Sequence, residues 1–191
     1  MVSKIKLGDL MAKTHLNSKL LNQLALKIGD SIPGEWLVFG GSMLYLIGID
    51  SRSTIDIDVT SFSLSTNADT LKLMKLAEEL QLPIETINQS DAFFLNQIEN
   101  WQGRCELFHK GKIGKIYIPN INLYIELKSS RMSESDLSDC KAYLNWCNKN
   151  KISYDKESLM HILRKQSLTA NKEKKSRLQE LKDYIKFMKQ K

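Results

Sequence analysis

Between Trp36 and Val59 the chain reads WLVFGGSMLYLIGIDSRSTIDIDV. Trp36, Leu37, Val38 and Phe39 form a short continuous apolar run, the pattern of a buried strand. Gly40-Gly41 breaks that strand, letting the backbone turn sharply and come close to a ligand. Ser42 then stands at the expected N-cap of a short helix, SMLYLIGI. Arg52 to Thr54 read as loop. IDIDV alternates apolar and acidic residues, so a second strand carries Asp56 and Asp58 on one face, about 6.5–7 Å apart along the chain. The short helix between them would set the two strands side by side. The turn and the carboxylate pair could then face one ligand.

Each part has an ordinary reading. A DxD pair on an exposed strand is common surface, and Gly-Gly is a common strand-to-helix turn. Together they suggest more. Two carboxylates on one face repel, and they are costly beside a buried sheet. A divalent cation removes that penalty, and hard Mg²⁺ takes one or two protein carboxylates together with substrate phosphate oxygens. Amides that open a helix favour anions, and the Ser42 hydroxyl could donate to a phosphate. Arg52 and Thr54 could add a charge and a hydroxyl at the mouth. The combination points to a nucleotide-phosphate site.

The remaining chain supplies a scaffold. Leu20, Leu21, Leu24, Ala25 and Ile28 recur at helical spacing, predicting a helix over 17–28 that Gly29 and Pro33-Gly34 stop. A second helix is expected over 68–82, with Leu71, Met74, Leu76, Ala77 and Leu80 on its apolar face and Pro83 at its end. Short strands are expected over 84–87, 104–109 and 115–118, while 90–101 fits strand or helix. From Asn122 the pattern is helical. Ser133 opens a capping-box-like SESD before a helix to about Cys147, with Leu137, Cys140, Leu144 and Cys147 inward. Two more helices are expected over 155–166 and 171–189. This order predicts an α+β fold: a small mixed β-sheet core flanked by helices, with a helical C-terminal tail. The expected division is a core domain over 1–150 and a basic helical extension over 151–191.

Composition narrows the class. Hydrophobic residues are 42% and charged residues 26% of the 191, ordinary for a globular chain. No uncharged apolar stretch of about 18 residues occurs, so no membrane span is expected. MVSKIKLGDLMAK has no apolar run before its first acid, so no secretory signal is expected and the cytoplasm is the expected compartment. Cys105, Cys140 and Cys147 form no CxxC and read as reduced thiols used as small hydrophobes. His15, His109 and His161 are scattered, without zinc-site spacing. The net charge of +6 is uneven: residues 151–191 hold 12 Lys/Arg against 5 Asp/Glu, and residues 1–150 hold 16 against 17. A basic tail on a near-neutral body suggests a polyanionic partner, or simply solvated Lys-rich helices.

FGGSMLYLIG followed by RSTIDIDV resembles the GG[ST]…R-x-T-x-D-[IV]-D signature of the nucleotidyltransferase superfamily with the DNA polymerase β-like fold. The nearest likeness is to its minimal AbiEii/MenT-like branch, which includes toxins of toxin–antitoxin systems. LYIELKSSRMSESDLSDCKAYL resembles that branch's helix-borne Lys, then Arg, then a D-x-x-D helix. The resemblance covers about residues 35–145, with 60–120 matched in outline. It implies that Gly40, Gly41 and Ser42 bind the NTP triphosphate. It implies that Asp56, Asp58, Lys128 and Asp139 are catalytic: Asp56 and Asp58 hold Mg²⁺ or Mn²⁺, Lys128 contacts phosphate and neutralises developing charge, and Asp139 lies close to Lys128, orienting it or completing the acidic cluster. Arg131 would bind phosphate or pair with Asp136, which is otherwise a helix cap. The superfamily often has a third metal carboxylate, for which Glu106 in RCELF is the candidate here.

The expected activity is therefore Mg²⁺-dependent transfer of an NMP, or a short run of them, from NTP to an acceptor. The acceptor would be an RNA such as tRNA, or a protein hydroxyl. An antitoxin protein is an expected partner if the toxin likeness holds. Two rivals remain: a degenerate member that binds nucleotide or a partner without turnover, and a basic RNA-binding module in which DxD is incidental.

Overall fold

The structure is a computed structural model, and it describes residues 18–49, 56–63, 66–83, 86–89 and 92–188. Asn17, Arg52, Thr54 and parts of the expected elements over 84–87, 90–101 and 171–189 lie outside the described residues.

The centre is a five-stranded mixed sheet with strand order β3-β2-β1-β5-β4. Its strands are β1 (Gly34–Phe39), β2 (Ile57–Ser61), β3 (Ile87–Asn88), β4 (Cys105–Lys110) and β5 (Gly114–Pro119). β1 is the middle strand, antiparallel to β2 and parallel to β5. Its apolar run is buried on both faces, as its sequence predicts. Trp36 and Val38 enter the main core, while Leu37 and Phe39 enter a second core with Leu95, Trp101 and Leu123.

The helices are α1 (Ser18–Ser31), α2 (Ser42–Leu46), α3 (Asn67–Glu79), α4 (Ala92–Leu95), α5 (Ile121–Arg131), α6 (Glu134–Lys149), α7 (Lys156–Leu168) and α8 (Lys172–Phe187). α1 runs through Gly29 instead of stopping there. The reason is packing: a Cβ on Gly29 would meet the His109 ring at 3.2 Å and the Gly111 Cα at 3.5 Å. The glycine lets the helix lie against the β4–β5 turn. The inward face of α3 is Leu73, Leu76 and Ala77, whereas Leu71 and Met74 are 59% and 37% exposed. At about 100° per residue, Leu71 and Met74 lie away from the face that Leu73 and Leu76 share. The ambiguous stretch 90–101 contains α4, a single helical turn. The inward face expected for α6 is the one observed, with Leu137, Cys140, Leu144 and Cys147 all buried.

α7 and α8 pack on α5 and α6. Leu159, Leu163, Leu178, Leu181 and Ile185 are fully buried in the same main core as Val38 and Val59. Burial pushes the thiols of Cys105 and Cys147 up to about 12 and raises that of Cys140 as well. All three cysteines are free and protonated at neutral pH, in keeping with their reading as small hydrophobes. No helix among the described residues is long and apolar enough to cross a membrane.

Candidate active site

The register of β1 and β2 builds the first half of the site. Phe39 pairs with Asp58, so the turn that follows β1 lies beside that carboxylate. Gly40 has φ +66°, a left-handed conformation that favours glycine. Asp58 also fills the space where a side chain on Gly40 would go, since an added Cβ would overlap Oδ2 and lie 2.8 Å from Cγ. On its other side Asp58 pairs with Asn88 of β3, whose Nδ2 donates to Oδ1 at 2.8 Å. Asp58 is thus held by a backbone turn and an amide while only 7% exposed. Asp56 immediately precedes β2 and is half-buried.

The turn differs from expectation in one respect. The N-cap of α2 is Gly41, not Ser42. The buried Ser42 hydroxyl donates to the Phe39 carbonyl at 2.9 Å, tying the turn back to its own strand. With five residues, α2 carries little dipole. What the turn offers a ligand is close backbone approach at Gly40 and Gly41.

The second half comes from α5 and α6. Tyr124, Lys128 and Arg131 follow one another at i, i+4 and i+7, hence along one helix face. Lys128 is buried, and its Nζ donates to Asp136 Oδ1 at 3.0 Å and to Asp139 Oδ2 at 3.4 Å. It also lies 5.7 Å above the Tyr124 ring. An ammonium has three donors, so one remains for a ligand. Arg131 grips Asp136 with two hydrogen bonds of 2.9 and 2.8 Å while its side chain stays 67% exposed. Met132 follows in the left-handed region, φ 46° and ψ 58°, with its side chain fully buried. The chain therefore reverses at one residue before Ser133 caps α6 in a capping box with Asp136.

Asp136 is consequently more than a cap. Burial alone would raise its pKa. The Arg131 hydrogen bonds, the Lys128 charge and the Ser133 contacts outweigh burial and hold the carboxyl well below the usual carboxylate range. Lys128 and Arg131 balance the charges of Asp136 and Asp139, and both aspartates have no exposed side-chain surface.

The two halves face one cleft of about 810 Å³. Gly40, Gly41, Asp56 and Asp58 line it from the first block, and Lys128, Arg131 and Asp136 from the second. Ser42 and Asp139 are not among its lining residues, and Arg52 and Thr54 lie outside the described residues. Glu106 lies elsewhere. It lines a separate groove of about 480 Å³ with Arg104, Asn120 and Asp155. Among the described residues, no group of three His, Cys, Asp or Glu could hold a metal ion. A pair of carboxylates in a polar cleft still suits a hard cation that completes its shell with water and phosphate oxygens.

Sequence reasoning missed Asn88, Phe94 and Tyr124, which also line the cleft. The spacing of Tyr124 from Lys128 could have exposed it. Asn88 lies on a two-residue strand that offers no periodicity, and Phe94 lies in the stretch that fitted strand or helix.

A family model described as a nucleotidyltransferase of unknown function (DUF6036) matches residues 18–191. The chain belongs to this nucleotidyltransferase family. The match takes in both sequence blocks of the cleft and also α7 and α8. Nucleotidyltransferases as a class use an NTP and a divalent metal, and the cleft of this family member offers groups suited to both. No curated protein matches the chain, and no solved structure does.

Proposed function

We propose that the chain is a Mg²⁺-dependent nucleotidyltransferase that moves an NMP from NTP to an RNA acceptor. One observation carries this reading: three separated sequence blocks, Gly40-Gly41, Asp56/Asp58 and Lys128/Arg131, line one cleft. Asp56 and Asp58 would hold the cation, which supplies charge neutralisation at the phosphate oxygens. The Gly40-Gly41 backbone approaches the triphosphate, and the remaining Lys128 donor stabilises charge on it. Arg131, largely exposed at the rim, adds a second cation. The acceptor hydroxyl oxygen forms a bond to the α-phosphorus, the bond from that phosphorus to the bridging oxygen breaks, and pyrophosphate leaves. The hydroxyl proton passes to a carboxylate of the Asp56/Asp58 pair or to water. Positioning supplies much of the acceleration in such a step.

RNA is favoured as acceptor by the basic helices α7 and α8, which adjoin the cleft wall. Lys174 of α8 donates to the Ser130 carbonyl at 2.6 Å, and Arg177 donates to that of Met132 at 3.5 Å. Ser130 is itself a cleft residue. A tRNA end fits this arrangement, and a toxin held in check by an antitoxin protein is the physiological form that the AbiEii/MenT likeness implies.

The test is incubation with each α-³²P-NTP, Mg²⁺, total RNA and cell extract. Label should enter RNA with the wild type and not with Asp56→Asn/Asp58→Asn. Normal transfer by that double variant overturns the mechanism. Label on protein instead of RNA moves the acceptor to a side-chain hydroxyl. NTP binding without any transfer favours the degenerate reading, for which the lack, among the described residues, of a group of three carboxylates placed to hold a metal speaks.

A further inference from the structure

The phosphate-binding groups of the cleft leave one part of an NTP unaccounted for, the base. Among the described residues, three aromatic rings line the cleft: Phe39, Tyr124 and Phe94. Phe39 is 4% and Tyr124 1% exposed, so their faces are already covered by protein. Phe94 is 49% exposed. It therefore presents free apolar ring surface in a cleft otherwise furnished for charge.

The ring is also well mounted. α4 is one turn long, but its last residue, Leu95, is fully buried among Leu37, Phe39, Trp101 and Leu123. This anchors the turn to the second core while Phe93 and Phe94 stay outside. Phe93 meets Phe94 edge to face, with centroids 5.8 Å apart and planes at 78°. Such an edge-to-face pair is a preferred aromatic arrangement and favours one orientation of the Phe94 ring. The cleft volume of about 810 Å³ lies within the usual range for small-molecule sites, about 300–1,000 Å³.

We infer that Phe94 is the platform on which the base of the bound NTP stacks. This rests on the NTP-site reading above. Every nucleobase has a π-face, so stacking on Phe94 holds any of the four bases and discriminates among them by stacking strength. Phe94 therefore supplies affinity for nucleotides as a class, and purines are held more tightly than pyrimidines.

Calorimetry with Mg²⁺ and three probes tests it: the α,β-methylene analogues of ATP and UTP, which cannot transfer, and tripolyphosphate, which has no base. Phe94→Ala should bind both nucleotides about tenfold more weakly, narrow the gap between them, and bind tripolyphosphate as the wild type does. Phe94→Trp should restore nucleotide affinity, with added indole fluorescence quenched by nucleotide and not by tripolyphosphate. Unchanged nucleotide binding by Phe94→Ala overturns the inference, as does an equal loss for tripolyphosphate. Wild type that binds tripolyphosphate as tightly as nucleotide overturns the stacking alone. Wild type that binds none of the three overturns the phosphate-site reading and the stacking with it.

Discussion

Gly40 and Asp58 compete for one volume, because a methyl group on the glycine would overlap a carboxylate oxygen of the aspartate. Two sequence motifs that stand apart in the chain are therefore a single steric unit. Gly40→Ala must displace Asp58 and also strain a backbone at φ +66°. The strain alone costs about 1–2 kcal/mol. We expect a folded protein with a lowered melting temperature and transfer reduced at least a hundredfold. Gly41 has ordinary helical angles, φ −71° and ψ −31°, so Gly41→Ala adds no such backbone strain and should cost less stability than Gly40→Ala while weakening nucleotide binding. Circular dichroism melts and α-³²P-NTP labelling of both variants check the contrast.

Asp136 sets a pH dependence whose sign follows from its surroundings. Its folded pKa lies below the ordinary 3.8. The charged form therefore favours the folded state. That contribution is complete above about pH 5 and is lost as the pH falls through the unfolded value toward the lower folded one. Asp136→Asn should cost about 3–5 kcal/mol at pH 7, as expected when one partner of a buried ion pair is removed. In urea melts at pH 7, 5, 4 and 3 the gap between wild type and variant should shrink steadily on the acid side. A gap that stays constant would mean the carboxylate is not ionised in the folded protein.

Lys128 and Asp139 should show strong coupling. Lys128→Met leaves two buried carboxylates with less compensation, and Asp139→Asn leaves the lysine with one partner fewer. Each single change should be destabilising. The double variant should be more stable than the sum of the two predicts, by about 1 kcal/mol or more. Denaturant melts of the four proteins measure this. Loss of activity in Lys128→Met alone says little about phosphate contact, because stability falls with it.

Deletion of residues 151–191 would be a poor probe of RNA binding. It would strip Leu159, Leu163, Leu178, Leu181 and Ile185 from the main core, and the remainder should misfold. Charge reversal on the exposed side is cleaner. Lys172→Glu with Lys175→Glu touches two exposed residues of α8. It should shift stability by no more than about 0.5 kcal/mol per site. RNA binding should weaken, and the slope of log K against log salt should fall in magnitude by about 1.4 for a single-stranded acceptor. An unchanged salt slope would assign those lysines to solvation alone.

The sequence made the cleft's ends legible more readily than its middle. Gly40-Gly41 and Asp56/Asp58 announce themselves because a turn and a period-two strand are local patterns. Their juxtaposition follows from a short helix that can only bring adjacent strands together, and β1 and β2 do pair. Asn88 and Phe94 were hidden because they reach the cleft through sheet order and core anchoring, which no local window records. The cap position expected for Ser42 falls instead on Gly41 for a similar reason. A serine after a glycine pair reads as a cap or a ligand group, but its hydroxyl donates a hydrogen bond to the nearby Phe39 carbonyl. Asp136 read as a cap and is one, yet its place between Lys128 and Arg131 depends on how α5 meets α6.

That meeting rests on a single residue, Met132, between the end of α5 and the cap of α6. One residue inserted there would shift the phase of α6 by about 100°. Asp136 and Asp139 would swing off the Lys128 face together, and Leu137, Cys140 and Leu144 would leave the core with them. Loops between other elements can absorb a change of length at the surface. At Met132 the length of the connection is itself a specification, and chain length there governs the charge pairing as firmly as the identity of the charged residues does.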